Sequence, residues 1–165
     1  AIVDRADVTR LGQDLESTGR LGDDAIHRTA QAIAGMAEEA ARNDVESIVA
    51  VGTAGLRLAP NRAELIDAVR HIHGVDVEVI PGDEEARLAY LATASELDVG
   101  DGTIVVFDTG GGSSQFTIGR GTHVEERFSL NVGAVRYMER FGLDVSVDEA
   151  TLTEALDAIA AHLAR

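Results

Sequence analysis

Glu84 and Glu85 stand directly after Pro81-Gly82-Asp83, at the start of a helical pattern. Acidic residues in a first helical turn complement the positive end of the helix dipole, worth about 0.3–1 kcal/mol. A carboxylate held there beside a cleft can also take a proton from water. A second group lies within Thr103 to Ile118, T-I-V-V-F-D-T-G-G-G-S-S-Q-F-T-I. Its apolar β-branched run, Ile104 to Phe107, predicts a buried strand that ends on the carboxylate of Asp108. Gly110, Gly111 and Gly112 follow, and without a Cβ they let backbone N–H groups approach an anion closely. Ser113 adds a hydroxyl, and Asp108 can hold a divalent metal or its water. The same residues also suit a tight hairpin with a capping Asp. The third group, Gly52-Thr53-Ala54-Gly55-Leu56-Arg57, sets a hydroxyl and a guanidinium in a small-residue loop after another strand. Read alone, Arg57 is as well explained as a surface arginine.

The combination says more than its parts. The ends of three successive predicted strands carry phosphate-compatible loops, Gly52–Arg57, Pro81–Glu85 and Asp108–Ser113. In α/β folds, ligand sites gather at the carboxyl ends of strands. A helix-start glutamate facing a metal-binding Asp and a Gly turn is the layout for water activation against a phosphoryl group. Other chemistries lack their residues. His27, His71, His73, His123 and His162 are scattered without metal spacing beside carboxylates, and Ser113 has no G-x-S-x-G context.

The elements that must hold these loops alternate. Ile26, Ala30, Ile33, Ala37 and Ala40 predict a helix from Asp23 to Asn43, capped by Asp23 or Asp24. Val45 to Val51 predicts a buried strand. Asn61 with Glu64 is a capping-box pattern, opening a helix to about His73 with Leu65, Ile66, Val69 and Ile72 on its apolar face. Val77 to Ile80 predicts a strand, and Asp83 caps a helix through Leu97 packed by Leu88, Leu91, Ala92 and Ser95. After Asp98–Gly102, a polar connector, come strands at Ile104, Ser114 and His123–Leu130, a helix over Ala134–Phe141, and a last helix. That helix starts from the Ser146/Glu149 capping box and turns Leu152, Leu156, Ile159 and Leu163 inward. The fold class is therefore α/β, with crossover helices first and an antiparallel meander restarting after the connector.

Composition narrows the function further. The 165 residues, 45% of them hydrophobic, can bury a core. There is no cysteine, hence no disulfide, thiolate nucleophile or Cys-based zinc site. All fourteen cationic residues are arginine, so a lysine-dependent phosphate loop and Schiff-base chemistry are excluded. A net charge of −15 argues against nucleic-acid partners, and a polyanionic substrate would need local help from arginine, glycine turns and metal. No apolar run approaches membrane-spanning length, and the first residues do not form a signal peptide; the expected location is cytoplasmic.

At these residues the sequence resembles the exopolyphosphatase / guanosine pentaphosphate phosphohydrolase family, within the actin-like ATPase and sugar-kinase superfamily. The matching blocks are Val51–Arg57 with Asn61, Val79–Leu88, Asp108–Ser113 and Ser129–Arg136, with Leu11-Gly12 and Thr18–Leu21 earlier. The resemblance implies two ribonuclease H-like domains around a cleft. Residues 1–98 would be the remainder of the first and 102–165 the beginning of the second. It also implies a hydrolase that removes terminal phosphates from polyphosphate or guanosine pentaphosphate with Mg²⁺. Glu85 matches the family's water-activating glutamate, and Asp108 its metal- or water-positioning aspartate. Thr53, Arg57 and Gly110, Gly111, Gly112 and Ser113 match positions that meet substrate phosphate. The family's opening Asp-x-Gly-Ser-Asn loop does not occur here, and the family continues past Arg165, so the chain resembles an internal portion of a longer protein. Where the family commonly has a glutamate after the Gly turn, this chain has Gln115, which can hydrogen-bond a water but adds no charge for a metal. A non-catalytic polyphosphate or alarmone sensor of the same fold is the second expectation. An ATP-using kinase is the third, disfavoured by the Glu84-Glu85-Ala86-Arg87 block. A homodimer is left open.

Overall fold

The computed structural model describes residues 3–97 and 102–164. The chain divides into two compact units, Ala1–Val79 and Ile80–Arg165. The first contains α1 (Leu15–Thr18), α2 (Asp23–Arg42), β1 (Ala50–Gly52), α3 (Ala54–Leu58), α4 (Arg62–His73) and β2 (Val77–Val79). Its two strands pair in parallel, Ala50 opposite Val77 and Gly52 opposite Val79. Helix α2 follows the predicted spacing, with Ile26 and Ala30 buried and Ile33 and Ala37 packed beside them. They meet Leu65 and Val69 of α4, together with Leu21, Leu56, Ala59 and Val75. The strand is shorter than Val45–Val51 and is not buried along its length. Val49 is 83% exposed, and Ile48 and Val51 are about half exposed.

One connection in this unit differs from the capping box. The side chain of Asn61 makes no cap bond to its own helix. Its Oδ1 accepts from the backbone N–H of Leu21 at 2.9 Å, and its Nδ2 donates to the Leu21 carbonyl at 3.1 Å. The amide thus pairs with Leu21 as a neighbouring strand would. Nδ2 also reaches Glu64 at 2.9 Å, and Arg20 approaches the same carboxylate. Fully buried Leu21 is held in the core by this clamp.

The second unit contains α5 (Gly82–Glu96), β3 (Thr103–Thr109), β4 (Ser114–Arg120), β5 (His123–Leu130), α6 (Ala134–Phe141) and α7 (Glu149–Leu163). The three strands form an antiparallel meander in the order β3-β4-β5. Opposite residues share a sheet face, which sorts the side chains into two sets. One face carries Phe107, Phe116 and Phe128 in register, with ring centroids 4.6 and 5.0 Å apart. The other carries Val106, Asp108, Gln115, Thr117, Arg127 and Ser129.

Helix α5 packs on this second face. Thr117 Oγ1 donates to the Ala86 carbonyl at 2.9 Å. The ring of Tyr90 lies so close over Gly119 that a Cβ there would meet its Oη at 2.7 Å. Tyr90 is fully buried, worth about 2 kcal/mol of apolar transfer, and its hydroxyl donates to the Gly121 carbonyl. The contact face of α5 is therefore Ala86 and Tyr90, one helical turn apart, while Leu88 is 40% exposed. The domain crossing expected at Asp98–Gly102 falls largely on residues 98–101, outside the described residues. The two compact units meet in sequence at Val79/Ile80, and Tyr90 and Ala86 bind α5 to the meander within the second.

Two more differences concern caps and stripes. Helix α7 begins two residues later than the Ser146 box. Its cap is Asp148, whose Oδ1 accepts from Thr151 N–H at 2.8 Å. Its buried residue is Ala155, and Leu152, Leu156 and Leu163 are each about half exposed. Strand β3 is likewise less buried than its composition implies, with Val105 and Phe107 near 60% exposed on the aromatic face.

Candidate functional site

The site candidates of the second unit gather at one end of the meander. Ala86 lies against Thr117, and Tyr90 lies further along β4 against Gly119. Helix α5 therefore runs away from the Gly110–Ser113 turn, and its first turn sits toward that turn. Asp108 stands two residues beyond Val106, the partner of Thr117, or about 7 Å along the strand. Asp108, Gln115 and the start of α5 thus share one face and one end of the sheet.

The cap of α5 is Pro81, and Gly82, Asp83, Glu84 and Glu85 form its first turn. Asp83 makes no side-chain cap bond; its carboxylate takes Arg127 of β5 at 3.3 Å. This pair fastens the helix start to the sheet. Arg127 carries no motif that marks it in the sequence, although alternation over Glu126–Leu130, beyond the register shift at Glu125, sets it on the same face as Ser129. Glu84 is gripped by Arg87, whose Nε and Nη2 reach its two oxygens at 2.9 and 2.6 Å. The hydrogen bonds and charge of Arg87 hold the Glu84 carboxyl below the usual range, against a smaller opposing effect of burial. Glu85 is half-buried, with its backbone N–H on the Pro81 carbonyl.

The Gly-rich turn has a defined set of partners. Gly110 N–H donates to the Ser113 carbonyl at 2.9 Å and closes the turn. The Gly110 and Gly111 carbonyls accept from the backbone N–H groups of Ala134 and Arg136, at 2.9 and 3.0 Å. A trans peptide points its N–H opposite to its carbonyl. The N–H groups of Gly111 and Gly112 are therefore turned away from α6. Two adjacent amides turned away from α6, in a turn whose Gly111 is exposed, are suited to an anion.

Ser113 and Gln115 are inside. Ser113 is 2% exposed and Gln115 1%. Gln115 Nε2 donates to Ser113 Oγ at 2.6 Å and, more weakly, to Ser129 Oγ at 3.3 Å. Gln115 Oε1 is buried with no hydrogen-bond partner. The Ser113 hydroxyl thus faces Gln115, and what the turn offers outward is backbone. A buried amide oxygen left unpaired carries a desolvation cost, so Gln115 has an acceptor to offer a water or a donor.

Thr53 and Arg57 belong to the first unit. Thr53 is the residue before α3, without a side-chain cap bond, and its carbonyl accepts from Arg57 N–H at 2.9 Å. Both side chains are half-buried. Among the described residues no group of three His, Asp or Glu side chains could hold a metal by itself. None of the described helices is long and apolar enough to cross a membrane.

The whole chain, residues 1–165, matches the model of the Ppx/GppA phosphatase family. A crystal structure of an exopolyphosphatase-like protein is 35% identical with a TM-score of 0.91, over 98% of this chain and 52% of that one. A Ppx/GppA family member from Aquifex aeolicus is 37% identical with a TM-score of 0.71, over 84% of this chain and 45% of that one. An exopolyphosphatase from Cytophaga hutchinsonii is 27% identical with a TM-score of 0.80, over 84% and 44%. The chain spans about half the length of these proteins. Its α/β layers are those of the actin-like ATPase superfamily. Within that class, the chain belongs to the Ppx/GppA phosphatase family.

Proposed function

We propose that this chain is part of a phosphoanhydride hydrolase that removes the terminal phosphate of inorganic polyphosphate or guanosine pentaphosphate by metal-assisted attack of water. One observation carries the reading. The first turn of α5, with Glu85, sits at the Gly-turn end of the β3–β4 sheet, on the face that presents Asp108 and Gln115. The outward amides of Gly111 and Gly112 bind a phosphate through hydrogen bonds that need no cationic side chain. Glu85 takes the proton as water oxygen bonds to the terminal phosphorus, and the bridging P–O bond breaks toward the rest of the chain. Thr53 and Arg57 are proposed to meet substrate phosphate as well.

The donor set fits Mg²⁺ only as an ion held largely by its substrate. Mg²⁺ is commonly bound through one or two carboxylates plus substrate phosphates and water. Asp108, exposed at the strand end, supplies the carboxylate, and Gln115 contributes none. Bound there, Mg²⁺ would neutralise phosphate charge as the bond breaks.

A second reading, a sensor that binds polyphosphate or an alarmone without efficient turnover, is favoured by Gln115 alone. A phosphate-release assay on the full-length protein separates the two. Release from polyphosphate or guanosine pentaphosphate, lost on removing Mg²⁺, supports the hydrolase. Tight binding without release supports the sensor.

A further inference from the structure

Gly133 presses against the Gly-rich turn from the side of α6. A Cβ placed on it would lie under 3.0 Å from the Gly111 carbonyl group and from the carbonyl carbon of Gly112, a separation real Cβ atoms do not show. All of these neighbours are backbone, so none can swing aside. Its own backbone is ordinary: φ is −136° and ψ 154°, extended values that any residue adopts. Glycine is needed here for space and not for conformational freedom.

That space has a consequence for the amides. With Gly133 in contact, the first-turn N–H groups of Ala134 and Arg136 reach the Gly110 and Gly111 carbonyls. These donors are ones a helix leaves unsatisfied, and Gly133 offers no side chain to cap them. The turn and the helix therefore satisfy each other, and the direction of the Gly111 and Gly112 N–H groups is set by α6. The segment before Gly133 is tied as well, because Ser114 Oγ donates to the Val132 carbonyl at 2.5 Å and lies 3.2 Å from Thr109 Oγ1.

We infer that Gly133 is a positioning residue for the phosphate turn, acting by close contact that fixes the outward amides of Gly111 and Gly112. This rests on the reading of that turn as a phosphate site. Any side chain at 133 should push α6 off the turn and rotate the two peptides. The test is Gly133→Ala and Gly133→Ser in the full-length protein, measuring kcat, KM for polyphosphate, inhibition by inorganic phosphate, and Tm. Serine is a favoured residue before a helix, so a role in capping alone predicts that Gly133→Ser is tolerated. The inference predicts that both raise KM about tenfold or more and weaken phosphate inhibition in step, with Tm within a few degrees of the parent. Unchanged KM in either well-folded variant overturns it. Should neither fold, Ser114→Ala decides: a KM raised severalfold supports the inference, and an unchanged KM overturns it. Gly111→Val serves as the control for the underlying reading. If it raises KM while the Gly133 variants do not, the phosphate site stands and the role of Gly133 falls. If Gly111→Val also has no effect, the site itself is wrong.

Discussion

Arg87 donates to both carboxylate oxygens of Glu84, from Nε at 2.9 Å and from Nη2 at 2.6 Å. The two residues lie one turn apart on α5, so the pair forms within the helix and commits Glu84 to it. A carboxylate stabilised as its anion has a lowered proton affinity, which suits an ion pair and not a general base. Arg87→Gln should therefore leave turnover within about threefold of the parent, well below the factor expected of a base. Steady-state kinetics with polyphosphate check this. A loss of a hundredfold or more would show that the pair itself serves the chemistry.

Asn61 should matter more for stability than its position in a connecting loop suggests. Asn61→Ala removes both bonds to the Leu21 backbone and the bond to Glu64. Leaving partly buried backbone groups unpaired costs about 1–3 kcal/mol. Chemical denaturation should show a loss in that range. A change under about 0.5 kcal/mol would mean that water replaces the amide without cost.

Much of this arrangement was legible in the sequence, and the reasons for the rest are physical. Helix α6 and strand β5 have the predicted bounds, since the turn at Gly121 opens the strand and Gly133 and Gly142 flank the helix. The Gly110–Ser113 turn lies where the three glycines predict it. Helix α5 begins at Gly82 with Pro81 as its cap, two residues before the start that an Asp83 cap implies, because Pro fixes its own φ and suits the position just before a helix. What pattern did not reveal was pairing between distant segments. Asn61 on Leu21, Tyr90 on Gly119 and Arg127 on Asp83 each join residues about 30 or more positions apart. Burial was misjudged for the same reason. Val105, Phe107 and the leucines of α7 are apolar by type, but exposure depends on which element lies across from them. The contact face of α5 was missed because it rests on an alanine and a tyrosine and not on its leucines.

Gln115 offers a test of how the turn handles charge. Gln115→Glu introduces a carboxylate among the Ser113 and Ser129 hydroxyls, which can rotate to donate to it. Beside an anion site this charge opposes phosphate unless a cation intervenes. Calorimetric titration of the full-length protein should show phosphate binding weakened severalfold in EDTA and restored or tightened by Mg²⁺. Equal affinities under both conditions would place Gln115 too far from the anion to influence it.

Asp148 gives a prediction in pH. Its carboxyl is held below the usual range by the backbone N–H of Thr151, the bond that caps α7. A lowered folded pKa contributes stability that is present above the unfolded pKa, near 4, and lost as pH falls through the folded value. Asp148→Ala should lower Tm by a few degrees at pH 7, and the gap should close below about pH 3. A gap that persists unchanged at low pH would show that packing, and not the ionised cap, is lost.

The central claim is that Glu85 is the base and Glu84 is not. Successive residues on a helix point about 100° apart, so the two side chains cannot share one direction. The comparison of Glu84→Gln with Glu85→Gln in the full-length protein, with Mg²⁺ and polyphosphate, tests it most directly. A general base contributes about 10²–10⁴-fold to rate. The account predicts that Glu85→Gln lowers kcat by about a hundredfold or more with Tm nearly unchanged, while Glu84→Gln costs less than about tenfold. Small and equal losses in kcat for both variants would contradict it, leaving the pair as ordinary helix-start carboxylates.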